Sequence, residues 1–133
     1  MRDLNNINKE VLVDLLATAT YGCDYLSILT LKTEKYIDEK FDSDYLENRC
    51  CEELWADRLL GGGHIVVVNY EDEDENGVPV KYKLNLEDFK NGLNKARDKE
   101  AVRDWADFVE EEDDYYTCNN LLQVIVFGEI VYG

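Results

Sequence analysis

The stretch GGGHIVVVNYEDEDENGVPVKYKL, residues 61 to 84, constrains the fold more than any other part of the chain. Three glycines end a helical pattern, and a β-branched run, Ile65 to Val68, follows. Five consecutive acids come next, Glu71, Asp72, Glu73, Asp74 and Glu75, and Asn76-Gly77 is a turn signal. Val80, Tyr82 and Leu84 then alternate with Lys81 and Lys83. Two apolar runs around such a turn predict a β-hairpin with an acidic tip. The first strand is apolar on both faces, as a central, covered strand requires, whereas the second alternates and turns one face to solvent. Pro79 stands at the strand entrance, where a missing N–H is tolerated.

Helical patterns surround this hairpin. Asn8 predicts the cap of a helix over 8–21 that aligns Leu12, Leu15, Leu16 and Ala19, with Gly22 beyond its end. YLSILTL, residues 25–31, predicts a strand that can continue to Tyr36, and the mixed-charge stretch 32–44 predicts a solvated segment. Asp44 and Glu47 form a capping-box pattern ahead of Leu46, Cys50, Cys51, Leu54, Trp55 and Leu59. That helix stops at Gly61–Gly63. Asn85 predicts the cap of a helix from Leu86 to Arg97, with Gly92 inside it as a place for close packing. A helix over 99–109 puts Val102, Trp105, Ala106 and Val109 on its apolar stripe. The apolar run 121–127 suits helix or strand, and a helix from near Asp113 to Gly128 is favoured because it sets acids at the positive end of the helix dipole. Ile130 to Tyr132 predicts a short edge strand. The expectation is a single acidic α+β domain over 1–133, a small antiparallel sheet built on the central hairpin and packed by four to five helices.

Composition bounds the function. Thirty acidic against fourteen basic side chains leave a formal charge of −16, which repels nucleic acid and anionic membranes and favours a basic partner. Solubility is the plainer use of the same charge. No apolar run is long enough to span a bilayer and the N-terminus lacks a signal-peptide core, so a cytoplasmic protein is expected. The four cysteines, Cys23, Cys50, Cys51 and Cys118, have no CxxC spacing, and His64 is the only histidine, so reduced thiols and no zinc site are expected.

Catalytic patterns are weak. Asp72-x-Asp74-x-Asn76-Gly77 matches the first half of a calcium loop, but Lys83 stands where that loop needs a bidentate glutamate. Pairs such as Glu110 and Asp114 lie in a hydrated acid run, and neither Ser27 nor Ser43 sits in a nucleophile elbow. Gly61–Gly63 follow a helix instead of preceding one, the wrong order for a phosphate loop. The reading is a non-enzyme without cofactor or metal.

The acids themselves are then the candidate site. Glu71, Asp72, Glu73, Asp74 and Glu75 form one array, and Asp107, Glu110, Glu111, Glu112, Asp113 and Asp114, followed by Tyr115 and Tyr116, form another. A duplex carries about one charge per 1.7 Å of its axis. Consecutive strand residues advance about 3.3 Å, so a groove built for phosphates attracts such arrays. Tyrosines beside acids offer apolar area and stack on arginine, although half-buried tyrosines at a core edge look the same in sequence.

Three further segments carry a resemblance: WADRLLGGGHIVVVNYEDE, YKLNLEDFKNGL and the closing LLQVIVFGEIVYG. Their Trp55, Leu60, Gly61, Gly62, Gln123, Phe127, Gly128, Glu129, Tyr132 and Gly133 resemble the pattern of small acidic proteins encoded by phages and mobile elements of Firmicutes. The likeness covers roughly the last ninety residues, and no catalytic residues carry over from it. It implies a phage setting, in which small acidic proteins inhibit host defence nucleases, CRISPR effectors among them. The N-terminal part matches less well and could hold specificity of its own. The expected function is therefore a cytoplasmic anti-defence, anti-CRISPR-like inhibitor that mimics DNA and binds a basic nucleic-acid-binding host protein. The alternative is a non-catalytic trap for a small nucleotide signal, with Lys81, Lys83, Lys90, Lys95 and Arg97 as its basic face.

Overall fold

The computed structural model describes residues 1–28 and 51–133. The extension of the first strand beyond Ile28, the stretch 32–44, and the Asp44–Glu47 capping box with Leu46 and Cys50 lie outside the described residues. The fold is α+β. Its elements run α1 (Lys9–Thr20), β1 (Leu26–Ile28), α2 (Cys51–Leu60), β2 (His64–Glu73), β3 (Pro79–Asn85), α3 (Leu86–Lys95), α4 (Val102–Val109) and α5 (Tyr115–Phe127).

The sheet is antiparallel in the order β1-β2-β3, with β2 in the centre. Ile28 faces Val67, and Val67 faces Tyr82, which fixes the register. Leu26, Ile28, Ile65, Val67 and Leu84 thereby share the side that joins the main core. Val66 and Val68 are also buried, but they point the other way, toward the face shared with Lys83 and Lys81. The alternation expected of β3 and the double burial expected of β2 are both present.

Helix ends follow local chemistry. Asn8 accepts the Val11 amide at 3.0 Å, and Asn85 and Asp88 exchange hydrogen bonds in a full capping box. The α2 terminus is a Schellman motif. The Gly63 amide bonds Arg58 O at 2.9 Å, and the Gly62 amide bonds Leu59 O at 3.1 Å with Gly62 at φ +88°. α3 runs to Lys95, short of Arg97, and a π-helical turn over Ala96–Glu100 follows. There the Ala101 amide reaches back to Ala96 O, so α4 begins at Val102 and not near residue 99.

Of the stripe expected on α4, Val109 is buried and Trp105 packs against the core, whereas Val102 and Ala106 are exposed and Ala101 and Phe108 enter the core instead. α5 resolves the ambiguous run as helix. Asp114 is its N-cap and Gly128, at φ +82°, its left-handed end. It is buried on nearly every side, from Thr117 to Ile125, and packs against α1, α3 and α4. Gly92 of α3 meets α5 so closely that a Cβ there would lie 2.6 Å from Ile125 Cα.

Residues 130–132 do not form the expected edge strand. The tail's backbone is bonded instead to one side chain: Gln123 Oε1 accepts the amides of Val131 at 2.9 Å and Tyr132 at 2.7 Å, and its Nε2 donates to Tyr132 O at 3.0 Å. A buried amide thus supplies the donor and acceptors that a neighbouring strand would have supplied.

Candidate partner-binding surface

All of Glu71 to Glu75 are exposed, and none of them makes an ion pair among the described residues. They do not lie on a continuous ladder. Asn69 faces Val80 and Glu73 faces Pro79, so Tyr70, Glu71 and Asp72 bulge out of the pairing. A bulge tightens the local twist and splays side chains that a flat strand would send to alternate faces. Asp74 has a structural task as well. Its Oδ1 accepts the amides of Asn76 at 2.8 Å and Val78 at 3.0 Å, closing the turn at Gly77. The half-match to a calcium loop contains this turn-closing aspartate.

The second array divides more sharply. Glu110, Glu111 and Glu112 are exposed on the turn between α4 and α5. Glu111 occupies the left-handed position, φ +61°, of a Schellman motif in which the Glu112 amide bonds Asp107 O at 2.9 Å. Asp107 is half-buried on α4. Asp113 is half-buried and paired with Arg2, which also donates to Asp14 at 3.0 Å and to Phe108 O at 2.8 Å. The Arg2 guanidinium lies 4.3 Å above the Phe108 ring. Asp114 caps α5 through the Thr117 amide, and that bond holds its carboxyl below the usual carboxylate range. Burial raises Asp104 nearby, and the charges of Asp107 and Asp114 add to the effect, although Asn120 donates to it.

Chain folding brings one end of each array to the same tyrosines. The Tyr70 amide, just before the first array, donates to Tyr25 O at 2.8 Å. Tyr115, just after the second, reaches Tyr25 and Cys23, and burial with those neighbours pushes its phenol well up. Tyr25 donates to Asn119 at 2.6 Å and packs on Tyr132 with ring centroids 4.9 Å apart. Tyr115 is therefore half-buried structure, whereas Tyr116 is 75% exposed. The Arg2 anchor, the Gln123 clamp and the Tyr25 hub were not recognised from the sequence, because each joins residues about a hundred positions apart or depends on a single polar side chain inside an apolar run.

His64 begins β2, while Cys23 lies by the strand's opposite end, next to Tyr25. Cys118 is buried beside Asp113, and burial followed by that carboxylate drives its thiol upward, away from the reactive thiolate. Among the described residues no group of three or more His, Cys, Asp or Glu is placed to hold a metal ion. Also among them, no helix is long and apolar enough to cross a membrane. Compared with known proteins, the chain matches no family model, no curated protein and no solved structure. The resemblance in its C-terminal segments rests on the residues quoted for it alone.

Proposed function

We propose that this protein is a non-catalytic inhibitor that binds a basic nucleic-acid-binding protein by offering carboxylates where that partner receives phosphates. The observation that carries this reading is the run Glu71–Glu75, exposed in full and without an ion pair among the described residues, on a chain of formal charge −16. Glu110 to Glu112 add a second exposed cluster on a turn fixed at both ends by helices. Binding of this kind draws its free energy from released counterions and charge-assisted hydrogen bonds, so it weakens with salt. The phage-like pattern of the C-terminal segments points to a host defence nuclease, such as a CRISPR effector, as the partner class.

The nucleotide-trap alternative draws less support. The cations lining both described cavities are already engaged, the Arg2 guanidinium by Asp14 and Asp113 and the Met1 ammonium by Glu111.

The test uses a variant in which Glu71, Asp72, Glu73, Glu75, Glu110, Glu111 and Glu112 become amides. Asp74, Asp113 and Asp114 stay, because they close a turn, anchor Arg2 and cap a helix. The parent should capture nucleic-acid-binding proteins from a host lysate, release them as salt rises, and lose them to added duplex DNA or RNA. The folded variant should capture none. Equal capture by a variant of unchanged melting temperature refutes the proposal.

A further inference from the structure

α4, which leads into the second acidic cluster, leaves part of its apolar stripe exposed. Val102 is 52% exposed and Ala106 is exposed, where a buried stripe was expected. One turn on, Trp105 and Val109 line an open groove of about 370 Å³ together with residues 1–5, Leu4 among them. A smaller cavity of about 190 Å³ shares Met1, Arg2 and Asp3 with this groove and is bounded by Glu10 and Glu111. Asp3, Glu10 and Glu111 make its lining acidic, and the two cations there are already paired, Arg2 with Asp14 and Asp113 and the Met1 ammonium with Glu111 at 3.6 Å.

We infer that this groove is the anchoring pocket for the basic partner, taking one large apolar side chain between Leu4 and Trp105 while flanking lysines or arginines meet Asp3, Glu110 and Glu111. The inference rests on the reading above and adds a place and a partner chemistry to it: a cationic segment interrupted by one bulky apolar residue. An aromatic-walled pocket rimmed by charge is the arrangement in which a few residues dominate binding energy. Charge alone attracts any polycation, whereas a pocket of this size selects among them.

The experiment compares two peptides by calorimetry at low and moderate salt: a short lysine–arginine peptide with one central phenylalanine, and the same peptide with serine in its place. The phenylalanine peptide should bind roughly tenfold more tightly, the effect of burying most of one such side chain. That preference should persist as salt rises, because it is not electrostatic. It should also shield Trp105 from acrylamide; Trp55 is buried and contributes little to quenching. Trp105→Ala should abolish the preference. Asn5→Trp, which fills the groove from an exposed lining position, should do the same without touching the core, so the test survives if Trp105→Ala fails to fold. Equal binding of the two peptides overturns the groove and leaves the acidic reading standing. Binding of neither peptide overturns both. A preference that survives in Asn5→Trp and in folded Trp105→Ala places the apolar contact elsewhere and overturns this assignment.

Discussion

Replacing Gly92 with alanine probes how the frame is built. In isolation the change should help, because alanine is favoured over glycine inside a helix by roughly 1 kcal/mol. Here the new Cβ would sit 2.6 Å from both Cα and Cγ1 of Ile125 and 3.0 Å from its Cβ. An ordinary carbon contact is about 3.5–4.0 Å, so α3 and α5 must separate by about 1 Å. Overpacking a well-filled core typically costs about 1–3 kcal/mol, and a backbone atom on the opposing side puts this site at the upper end. The net loss should be about 2 kcal/mol, which for a chain of 133 residues lowers the melting temperature by about 7 °C. Calorimetry and urea unfolding on Gly92→Ala would measure it, with exposed Asn94→Ala on the same helix as the propensity control. Trimming Ile125 to alanine should recover only part of the loss, since its Cα remains. If Gly92→Ala matched or exceeded the parent in stability, the close α3–α5 contact would be refuted.

Four other outcomes follow from the same geometry. Gln123→Ala removes the three hydrogen bonds to the tail and the 2.8 Å donation to Asn119, and should cost about 3 kcal/mol, with hydrogen exchange at the Val131 and Tyr132 amides accelerating. Glu111→Gly relieves a left-handed residue at φ +61° and should stabilise by about 1 kcal/mol in thermal melts. Arg2→Met strands Asp113 and should destabilise by about 3 kcal/mol, while the double variant with Asp113→Asn should recover much of that loss in a mutant cycle. Asp104 and Asp114 pull stability in opposite directions with pH. The raised Asp104 makes folding less favourable as pH rises from its unfolded value near 4 through the higher folded one, so Asp104→Asn should stabilise at neutral pH. The lowered Asp114 contributes above that unfolded value and is lost as pH falls through its folded one, so Asp114→Asn should keep the cap and flatten only the acid limb of a pH–melting curve.

How much of this was legible in the sequence depended on whether the signal was local. The Asn8 and Asn85 caps, the Gly61–Gly63 stop and the β2–β3 hairpin each announce themselves within a few residues, and each is found where expected. The α4 stripe was half legible: Trp105 and Val109 face inward as their spacing predicts, but Val102 and Ala106 do not, because Ala101 and Phe108 fill the core beside them and sequence periodicity alone does not say which flank of a stripe the core covers. Within the acid runs, composition gave positions but not tasks. Nothing in EEEDDYY distinguishes the exposed Glu110 from Asp113, whose partner Arg2 arrives from the other end of the chain. The edge strand at 130–132 failed for a related reason: β-branched residues favour extended backbone, but here their hydrogen bonds go to a glutamine side chain.

A chain with thirty carboxylates must keep self-repulsion from opening its fold, and the acids show how this is managed. Asp88 and Asp114 sit at helix N-termini, where the backbone dipole favours them, and Asp74 is satisfied by turn amides. Asp14, Asp57 and Asp113 take Arg2 and Lys9 as partners. Glu71–Glu73, Glu75, Glu110 and Glu112 make no ion pair among the described residues and lie on a bulge, a hairpin tip and an interhelical turn, remote from the core and open to counterions, where Glu111 meets only the N-terminal ammonium at 3.6 Å. If their charge served solubility alone, neutralising them would relieve repulsion and raise stability at no cost to binding. If it serves a partner, the same substitutions should still raise the melting temperature at low salt while abolishing capture. Stability and binding moving in opposite directions is the signature that separates a working surface from a solubilising one.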